Sequence, residues 1–298
     1  MKDLTLELTD KCYNQCMHCS SSCKSNTKNN FLQMDNLGMI LDAAKVLNFE
    51  RIILSGGEPL LHPDFLNIVR HIKTLGFQIK LYTSGIIDTE QYPHLSRMLE
   101  DIDIVSVSQY ATEKHIHNFI CDEACRLATP REDFASYSKS QWFIQTLEHF
   151  NIPYEINTVL MPSNSHEIIP LYRKFKKRCI SFNVLRLVLQ GNALENFPNK
   201  SSILTTSVVK EIITYLQDRD DVKLGESFGI DTLMPFKCDV GRSKMCITSD
   251  GYVIPCETFK DRRKEFKHYE DYSKIREICN EFIYWGQNYQ YECRKRLK

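Results

Sequence analysis

Cys12-Tyr13-Asn14-Gln15-Cys16-Met17-His18-Cys19 places three cysteines at spacings of four and three residues, directly after a short run typical of a strand. Their thiolates are soft ligands that suit iron, and a loop this short can hold an iron–sulfur cubane by three of its irons. No fourth cysteine at this spacing completes the set, which leaves one iron open to a cofactor or substrate. A closed four-ligand zinc site, completed by His18 or Cys23, is the alternative.

The composition is that of a globular protein long enough to bury a sizeable core, with 298 residues of which 42% are hydrophobic and 26% are charged. The formal net charge is zero, so the chain lacks the electrostatic footprint of a protein that binds nucleic acid or an anionic membrane. No signal peptide and no membrane-spanning apolar run is visible, and we expect a cytoplasmic protein. In that reducing compartment, twelve cysteines favour metal ligation over disulfides.

Segments typical of strands and helices alternate six times along the first two thirds of the chain. The expected strands are 4–9, 51–55, 78–84, 103–109, 154–161 and 182–190, and the expected helices among them are 34–48, 64–75, 89–100, 133–150 and 166–178. Alternation of this kind predicts an α/β fold with a parallel sheet. Six units are too few for a complete eight-unit barrel, so we expect a partial (β/α)6 barrel.

Several expected strands carry polar side chains on one face. The inside of a closed α/β barrel is usually packed with branched apolar side chains. The polar face therefore predicts an open, wet lumen that holds a polar cofactor and a substrate, and antiparallel strands with one face in water are the alternative. The polar residues are Glu7, Thr9, Lys80, Tyr82, Ser84, Ser106, Ser108, Glu155, Asn157, Arg186 and Gln190.

A second motif, Gly56-Gly57-Glu58-Pro59, ends the second expected strand, at the edge where barrel active sites lie. Two glycines allow a ligand to approach the backbone, proline fixes the turn, and carbonyls and Glu58 are acceptors for an ammonium group. In this order, the two motifs resemble those of the radical S-adenosylmethionine (SAM) enzymes. The resemblance implies a 4Fe-4S cluster on Cys12, Cys16 and Cys19, with SAM on its open iron and reductive cleavage of SAM to a 5′-deoxyadenosyl radical.

The same resemblance implies that the SAM amino group lies at Gly56, Gly57, Glu58 and Pro59, and that His18 contributes backbone near the adenine. Residues 109–113 are similar to the family's S-x-Y-G-A-T turn but lack its glycine. Further contacts to SAM are implied at the ends of the fourth, fifth and sixth strands, where a structural hydrogen bond is the alternative role. The candidates are Ser106, Ser108, Asn157, Thr158 and Arg186.

The C-terminal part has a different pattern, in which Ser249-Asp250-Gly251 between apolar residues predicts a β-hairpin. The region resembles the SPASM and twitch domains of radical SAM enzymes, which implies an auxiliary 4Fe-4S cluster; a zinc ribbon is the alternative. The implied ligands are Cys238, Cys246, Cys256 and Cys293, with Cys279 as a replacement for Cys293. We expect a barrel at 1–200, a linking segment at 201–234 and an auxiliary-cluster domain at 235–298, with helices near 205–219 and 273–285.

Three further residues are candidates for chemistry on the substrate. Cys121 and Cys125 would share one helix face, and such a thiol could donate a hydrogen atom to the product. Glu257 could act as a base. Core packing of the cysteines and a surface position of the glutamate are the alternatives.

The sequence therefore predicts a radical SAM enzyme supplied with electrons by a flavodoxin or ferredoxin. By family analogy the substrate is a ribosomally made peptide that becomes cross-linked, oxidised or epimerised. Because the first strand begins near residue 3, we expect the peptide to be recognised by the C-terminal region or by a separate leader-peptide-binding protein. The alternatives are a dehydrogenase or epimerase of a small molecule such as an amino sugar, and a non-catalytic iron–sulfur or zinc protein.

Overall fold

The computed structural model describes residues 1–21, 23, 30–87, 95–122, 136–198, 204–225, 227–228, 240–266 and 276–281. The strands are β1 (Asp3–Thr9), β2 (Arg51–Gly56), β3 (Gln78–Thr83), β4 (Ile104–Ser108), β5 (Tyr154–Leu160), β6 (Ser181–Arg186), β7 (Val222–Leu224), β8 (Lys244–Ile247) and β9 (Val253–Ile254). The α-helices are α1 (Met34–Val46), α2 (Phe65–Thr74), α3 (Leu95–Glu100), α4 (Lys114–Cys121), α5 (Ser136–His149), α6 (Ile168–Phe175), α7 (Asn192–Asn196) and α8 (Thr206–Leu216). The 3-10 helices are Pro59–Leu61, Pro162–Glu167 and Glu257–Glu265, and residues 276–281 are helical.

The strands form one sheet in the order β7-β6-β5-β4-β3-β2-β1-β8-β9. β1 to β6 pair in parallel, which confirms the predicted parallel α/β partial barrel and excludes the antiparallel alternative. β7 adds in parallel beyond β6, and β8 adds in parallel beyond β1. β9 pairs antiparallel with β8, so the predicted hairpin is confirmed. The hairpin thus continues the sheet of the barrel, an attachment that the sequence did not predict.

One face of the sheet is apolar and packs under the helices. Leu4, Leu6 and Leu8 of β1 are at most 2% exposed on this face. Helix α1 buries Leu37 and Leu41, one turn apart, in the same apolar core as these leucines. Removal of this apolar surface from water is the main stabilising contribution to the fold. None of the helices in the described ranges is long and apolar enough to cross a membrane.

The other face carries the predicted polar side chains, but ion pairs fill part of it. Lys80 of β3 pairs with Glu155 of β5, and Arg51 Nη2 lies 2.6 Å from Asp3 Oδ2. Glu155 lies in register with Ser106 and is fully buried. The prediction of an open, wet lumen is therefore wrong at this level of the sheet, because paired charges occupy the space.

Two predicted boundaries are wrong. The sixth strand ends at Arg186 and not near 190. Beyond it the chain turns, with Gly191 at a φ of 58°, and the next backbone N–H, that of Asn192, bonds to the cysteine loop. The helix expected at 166–178 starts within a 3-10 helix that ends at Glu167, and it continues as α6 only to Phe175. Lys177, just beyond α6, adopts a φ of 72°. Parts of the helices expected at 89–100, 133–150 and 273–285 lie outside the described residues.

Candidate active site

A cavity of about 310 Å³ opens at the carboxyl ends of the strands. Its volume lies at the lower end of the range of cofactor and ligand sites. Both sequence motifs contribute to its wall, which confirms that the fold brings them together. The lining includes Cys12, Asn14, Cys16, His18, Cys19, Cys23, Ser55, Gly56, Gly57, Tyr82, Ser84, Ser108, Tyr110, Leu185, Arg186 and Leu187.

The glycines of the second motif hold the chain that leads into the cysteine loop. Gly57 N donates to Thr9 O at 2.7 Å, and Glu58 N donates to Lys11 O at 2.8 Å. A Cβ added to Gly57 would lie 2.1 Å from Lys11 O, and one added to Gly56 would lie 2.3 Å from Thr9 O. Glycine is therefore required here because two backbone segments touch.

Helix α4 holds the middle of the loop. Gln15 N donates to Cys121 O at 3.0 Å, and Met17 N donates to Ile120 O at 2.9 Å. These carbonyls lie in the last turn of the helix, where the helix itself leaves acceptors free.

The N-terminus of that helix is fixed in turn by the buried Glu167. Its Oε2 atom accepts bonds from Thr112 N and Thr112 Oγ1, both at 2.6 Å, and from Glu113 N at 3.3 Å. Burial acts to raise the pKa of Glu167, but these bonds outweigh it and the pKa is lowered. The carboxylate is therefore ionised at neutral pH and holds the start of α4.

The turn after β6 holds the far end of the loop. Asn192 N donates to Cys19 O at 2.9 Å, and Asn192 Nδ2 donates to Cys16 O at 3.2 Å. A Cβ added to Gly191 would lie 2.5 Å from Cys19 O. This turn was not predicted to have a function, although its Gly191-Asn192 pair was the available signal.

The three loop thiols differ in electrostatics. Burial raises the pKa of Cys12, and the nearby Glu58 adds to this effect. The pKa of Cys16 is raised, first because its thiol donates a hydrogen bond to Cys121 and then by burial. The pKa of Cys19 is lowered to about 6, first because its sulfur accepts a hydrogen bond from Cys23. Cys19 is thus the loop thiol most ready to bind a metal as a thiolate.

The donor set of the cavity fits an iron–sulfur cluster, since three thiols of one loop line the same wall. In the part of the chain that the structure describes, no three His, Cys, Asp or Glu side chains are already arranged as a metal site. Two of the loop thiols contact other thiols instead, and a cluster would replace those contacts. His18 gives no support to the zinc alternative, because its Nε2 lies 2.9 Å from the Tyr110 hydroxyl.

Glu58 does not line the cavity. It is 1% exposed, and its carboxylate accepts bonds from Thr83 Oγ1 at 2.7 Å, Ser84 N at 2.9 Å and Ser84 Oγ at 2.6 Å. Burial raises its pKa. The placement does not support the predicted contact between this carboxylate and SAM, and neither does that of the buried Pro59. Glu58 positions Ser84, which does line the cavity.

The candidates on the strands separate by the face on which they lie. Ser108 lines the cavity, whereas Ser106 lies two residues lower and is 1% exposed. Asn157 lies in register with Ser108, but its Oδ1 atom already accepts a bond from Asn183. Thr158 points to the opposite face, as consecutive strand residues must, so its position gives no support to a SAM contact.

Arg186 ends β6 and lines the cavity, and its contact with SAM stays a prediction. Its Nη1 donates to Ser227 O at 3.4 Å, which ties it to the segment that follows β7. The ring of His18 also lines the cavity, and its contact with Tyr110 was missed because only backbone contacts were expected there.

The two described candidates for substrate chemistry lie on different elements, Cys121 at the end of α4 and Glu257 at the start of the last 3-10 helix. Cys121 is 1% exposed, contacts Cys16 from the side of α4, and does not line the cavity, which gives no support to a donor role. Cys125 lies outside the described residues. Glu257 accepts a bond from Thr5 Oγ1 at 2.6 Å and contacts Cys256 Sγ at 3.5 Å.

Two of the implied auxiliary ligands are described. Cys246 is fully buried on β8, and Cys256 follows β9. Cys279 packs in the apolar core, where burial raises its pKa to about 12, so its position does not favour the role of a metal ligand. Cys238 and Cys293 lie outside the described residues.

A second cavity, of about 370 Å³, adjoins the first between the cysteine loop and the turn of the hairpin. Lys260 lies between the two cavities, where it pairs with Glu7 and donates to Ser21 Oγ at 2.8 Å. Sequence reasoning missed Lys260, because nothing near it in the chain indicates that it is buried.

Comparison with known proteins decides the family. Residues 6–174 match the radical SAM superfamily. The chain belongs to that superfamily. This superfamily uses a 4Fe-4S cluster and SAM, and membership favours a radical SAM enzyme over a non-catalytic metal protein.

Among its relatives, an AdoMet-dependent heme synthase of Methanosarcina barkeri is 27% identical over 64% of this chain and 52% of its own length. A PqqA peptide cyclase of Bradyrhizobium diazoefficiens is 23% identical over 84% of this chain and 65% of its own. A probable GTP 3′,8-cyclase of Methanothermobacter marburgensis is 23% identical over 94% of this chain and 93% of its own length. The chain thus spans between half and two thirds of the length of the first two.

Solved structures share the fold over nearly the whole chain. Streptococcus suis SuiB bound to the precursor peptide SuiA superposes with a TM-score of 0.69 at 15% identity, over 96% of this chain and 66% of its own. The enzyme anSMEcpe, with bound AdoMet and the Cp18Cys peptide, superposes with a TM-score of 0.60 at 15% identity, over 99% of both chains.

Proposed function

We propose that this radical SAM enzyme modifies a ribosomally made peptide by abstraction of a hydrogen atom. The observation that carries the proposal is the similarity of fold, over almost the whole chain, to two enzymes whose structures contain a peptide. Cys12, Cys16 and Cys19 would hold the 4Fe-4S cluster, which when reduced supplies the electron that cleaves SAM to the 5′-deoxyadenosyl radical.

The two sides of the 310 Å³ cavity suit the two ends of SAM. On one side lie Ser55, Ser84 and the backbone of Gly57, which offer hydrogen-bonding groups to the amino acid end. On the other lie the apolar side chains of Leu185 and Leu187, which suit an adenine ring. Leu185 is 39% exposed, so this side is open towards solvent.

The adjoining cavity is the proposed place of the peptide. It shares Ser20, Ser21, Cys23, Gly56 and Lys260 with the first cavity, so a substrate there would lie next to SAM. Hydroxyl and charged groups predominate in its wall, and they suit the polar backbone of a peptide. A separate leader-peptide-binding protein and a flavodoxin or ferredoxin would complete the reaction.

We further propose that Cys238, Cys246, Cys256 and Cys293 hold an auxiliary 4Fe-4S cluster. Support comes from the pairing of Cys246 with Ile254 across the hairpin, which places Cys256 two residues beyond the partner of Cys246. Glu257 follows Cys256 directly, and its carboxylate accepts a hydrogen bond from Thr5 Oγ1. It is the proposed base.

A small-molecule substrate is the second candidate. It is favoured by the match to a probable GTP 3′,8-cyclase, which covers 94% of this chain and 93% of the relative. An amino sugar is a further candidate for a small-molecule substrate.

The experiment that separates the two is an anaerobic incubation in deuterated water with SAM, a strong reductant and a small peptide encoded beside the gene. Mass spectrometry should show loss of two hydrogens for cross-linking or oxidation, or gain of one deuteron for epimerisation. The Cys16→Ala protein is the control and should leave the peptide unchanged. An unmodified peptide, together with turnover of GTP or of a neighbouring sugar intermediate, would contradict the peptide proposal.

A further inference from the structure

Among the residues that the structure describes, four cysteines, and not three, line the cavity proposed for SAM. Cys23 is 3% exposed, and it shares the cavity wall with Cys12, Cys16 and Cys19. Its thiol contacts the thiol of Cys19. A fourth soft ligand therefore lies beside the three that the family motif provides.

A fifth cysteine, Cys121, provides a comparison within the same molecule. Its sulfur accepts a hydrogen bond from Cys16, so it too contacts a loop thiol. It approaches from α4, however, and is absent from the cavity wall. With SAM in this cavity, as proposed, the open iron of a cluster on the loop would have to face it. Of the two additional thiols, Cys23 alone shares that side.

The segment before Cys23 is held in place at the cavity. Ser21 Oγ accepts a bond from Lys260 Nζ at 2.8 Å and donates one to Glu7 Oε1 at 3.3 Å. Lys260 and Glu7 form a buried ion pair. Ser21, two residues before the fourth thiol, is thus tied to β1 and to the C-terminal segment.

We propose that Cys23 binds the open iron when SAM is absent and leaves it when SAM binds. The inference rests on the proposed function, which assigns the cluster to the three loop cysteines. The exchange breaks one iron–sulfur bond and forms bonds from iron to the amino nitrogen and the carboxylate of SAM. The departing thiolate takes up the proton that the ammonium group of SAM gives up, and no electron is transferred.

Two consequences follow for the resting enzyme. A cubane with four thiolate ligands keeps its fourth iron during oxidation better than one with three. SAM must also compete with Cys23. The apparent association constant of SAM is therefore the intrinsic constant multiplied by the fraction of molecules in which the iron is free. If Cys23 occupies the iron in about four fifths of the molecules, its removal should lower the dissociation constant of SAM about fivefold.

The test compares Cys23→Ala and Cys23→Ser with the wild type and with Cys121→Ala, the matched control that removes the other additional thiol. All proteins are reconstituted anaerobically as full chains. SAM binding is measured by equilibrium dialysis, and conversion to a 3Fe-4S cluster by electron paramagnetic resonance after mild oxidation without SAM.

Both Cys23 variants should bind SAM about fivefold more tightly and show more 3Fe-4S signal, whereas Cys121→Ala should behave as the wild type. The serine variant keeps the size of the side chain, so that a packing defect in the alanine variant does not decide the result. Wild-type values in both Cys23 variants, or the same changes in Cys121→Ala, would overturn the inference. A wild-type protein without a cluster, or without 5′-deoxyadenosine production, would refute the proposed function instead.

Discussion

Replacement of Gly57 by alanine tests how the second motif supports the first. Gly57 N bonds to Thr9 O, and the next residue, Glu58, bonds through its N–H to Lys11 O. The added Cβ would lie 2.1 Å from Lys11 O, a backbone atom that no side-chain rotation can move away. The two segments must therefore separate, and Cys12 follows directly.

The magnitude can be worked out from these contacts. Ordinary contact begins near 3.4 Å, so the strand end and the motif must move apart by about 1 Å. Such a shift weakens both backbone hydrogen bonds, each worth about 1 kcal/mol. We expect the free energy of unfolding to fall by about 2 kcal/mol. Iron retained after reconstitution should also fall, because the first cluster ligand is displaced.

The assay is urea unfolding of the cluster-free protein followed by circular dichroism, with iron content measured on the reconstituted protein. Gly38→Ala is the control, since a Cβ at that position on α1 meets nothing within 4 Å. It should leave iron unchanged and stabilise the protein by up to about 1 kcal/mol. If Gly57→Ala matches the wild type in both measurements, close backbone approach is not the reason for glycine at this position.

Three further changes give distinct outcomes. Lys260→Met leaves the buried Glu7 without its ion-pair partner and should lower the free energy of unfolding by about 3–5 kcal/mol. Adding Glu7→Gln should restore part of this free energy in urea unfolding, and a double variant as unstable as Lys260→Met would contradict the reasoning. Asn192→Ala removes a bond to the cysteine loop, so chelators should remove iron about fivefold faster, whereas Glu195→Ala on the exposed face of the same helix should have no effect. Cys246→Ser should reduce iron from about eight to about four per chain, and an unchanged iron content would refute the auxiliary cluster.

The parallel sheet could be predicted because its evidence is local. Alternation of apolar and polar residues, as at Leu4, Leu6 and Leu8, sets the strands, and the spacing between strands leaves room for one helix each. The attachment of β8 to β1 could not be predicted in this way, because their pairing joins residues more than 200 positions apart and neither strand specifies its partner. The end of β6 was also beyond local evidence, since contacts with the cysteine loop decide it.

The candidate active site likewise combines features that local sequence predicts with features that distant contacts decide. The cysteines and glycines could be identified because their chemistry or conformation restricts the residue type. The hydrogen bonds of Glu58 could not be predicted, because its partners, Thr83 and Ser84, lie at the end of another strand. Thr158 was chosen beside Asn157 although only one of two consecutive strand residues can face the lumen. Lys260 carries no local pattern at all.

Production of 5′-deoxyadenosine is the measurement that tests the assignment of the cysteine loop most directly. Reconstituted wild-type protein, incubated anaerobically with SAM and a strong reductant, should form it in an amount that grows with time. Cys16→Ala should form none, because the loop then holds only two irons, and Cys23, serving as a third thiolate, would close the iron on the side from which SAM binds. Cys179→Ser, at a cysteine outside the cavity wall, should form as much as the wild type. Equal production by the wild type and Cys16→Ala would contradict the assignment.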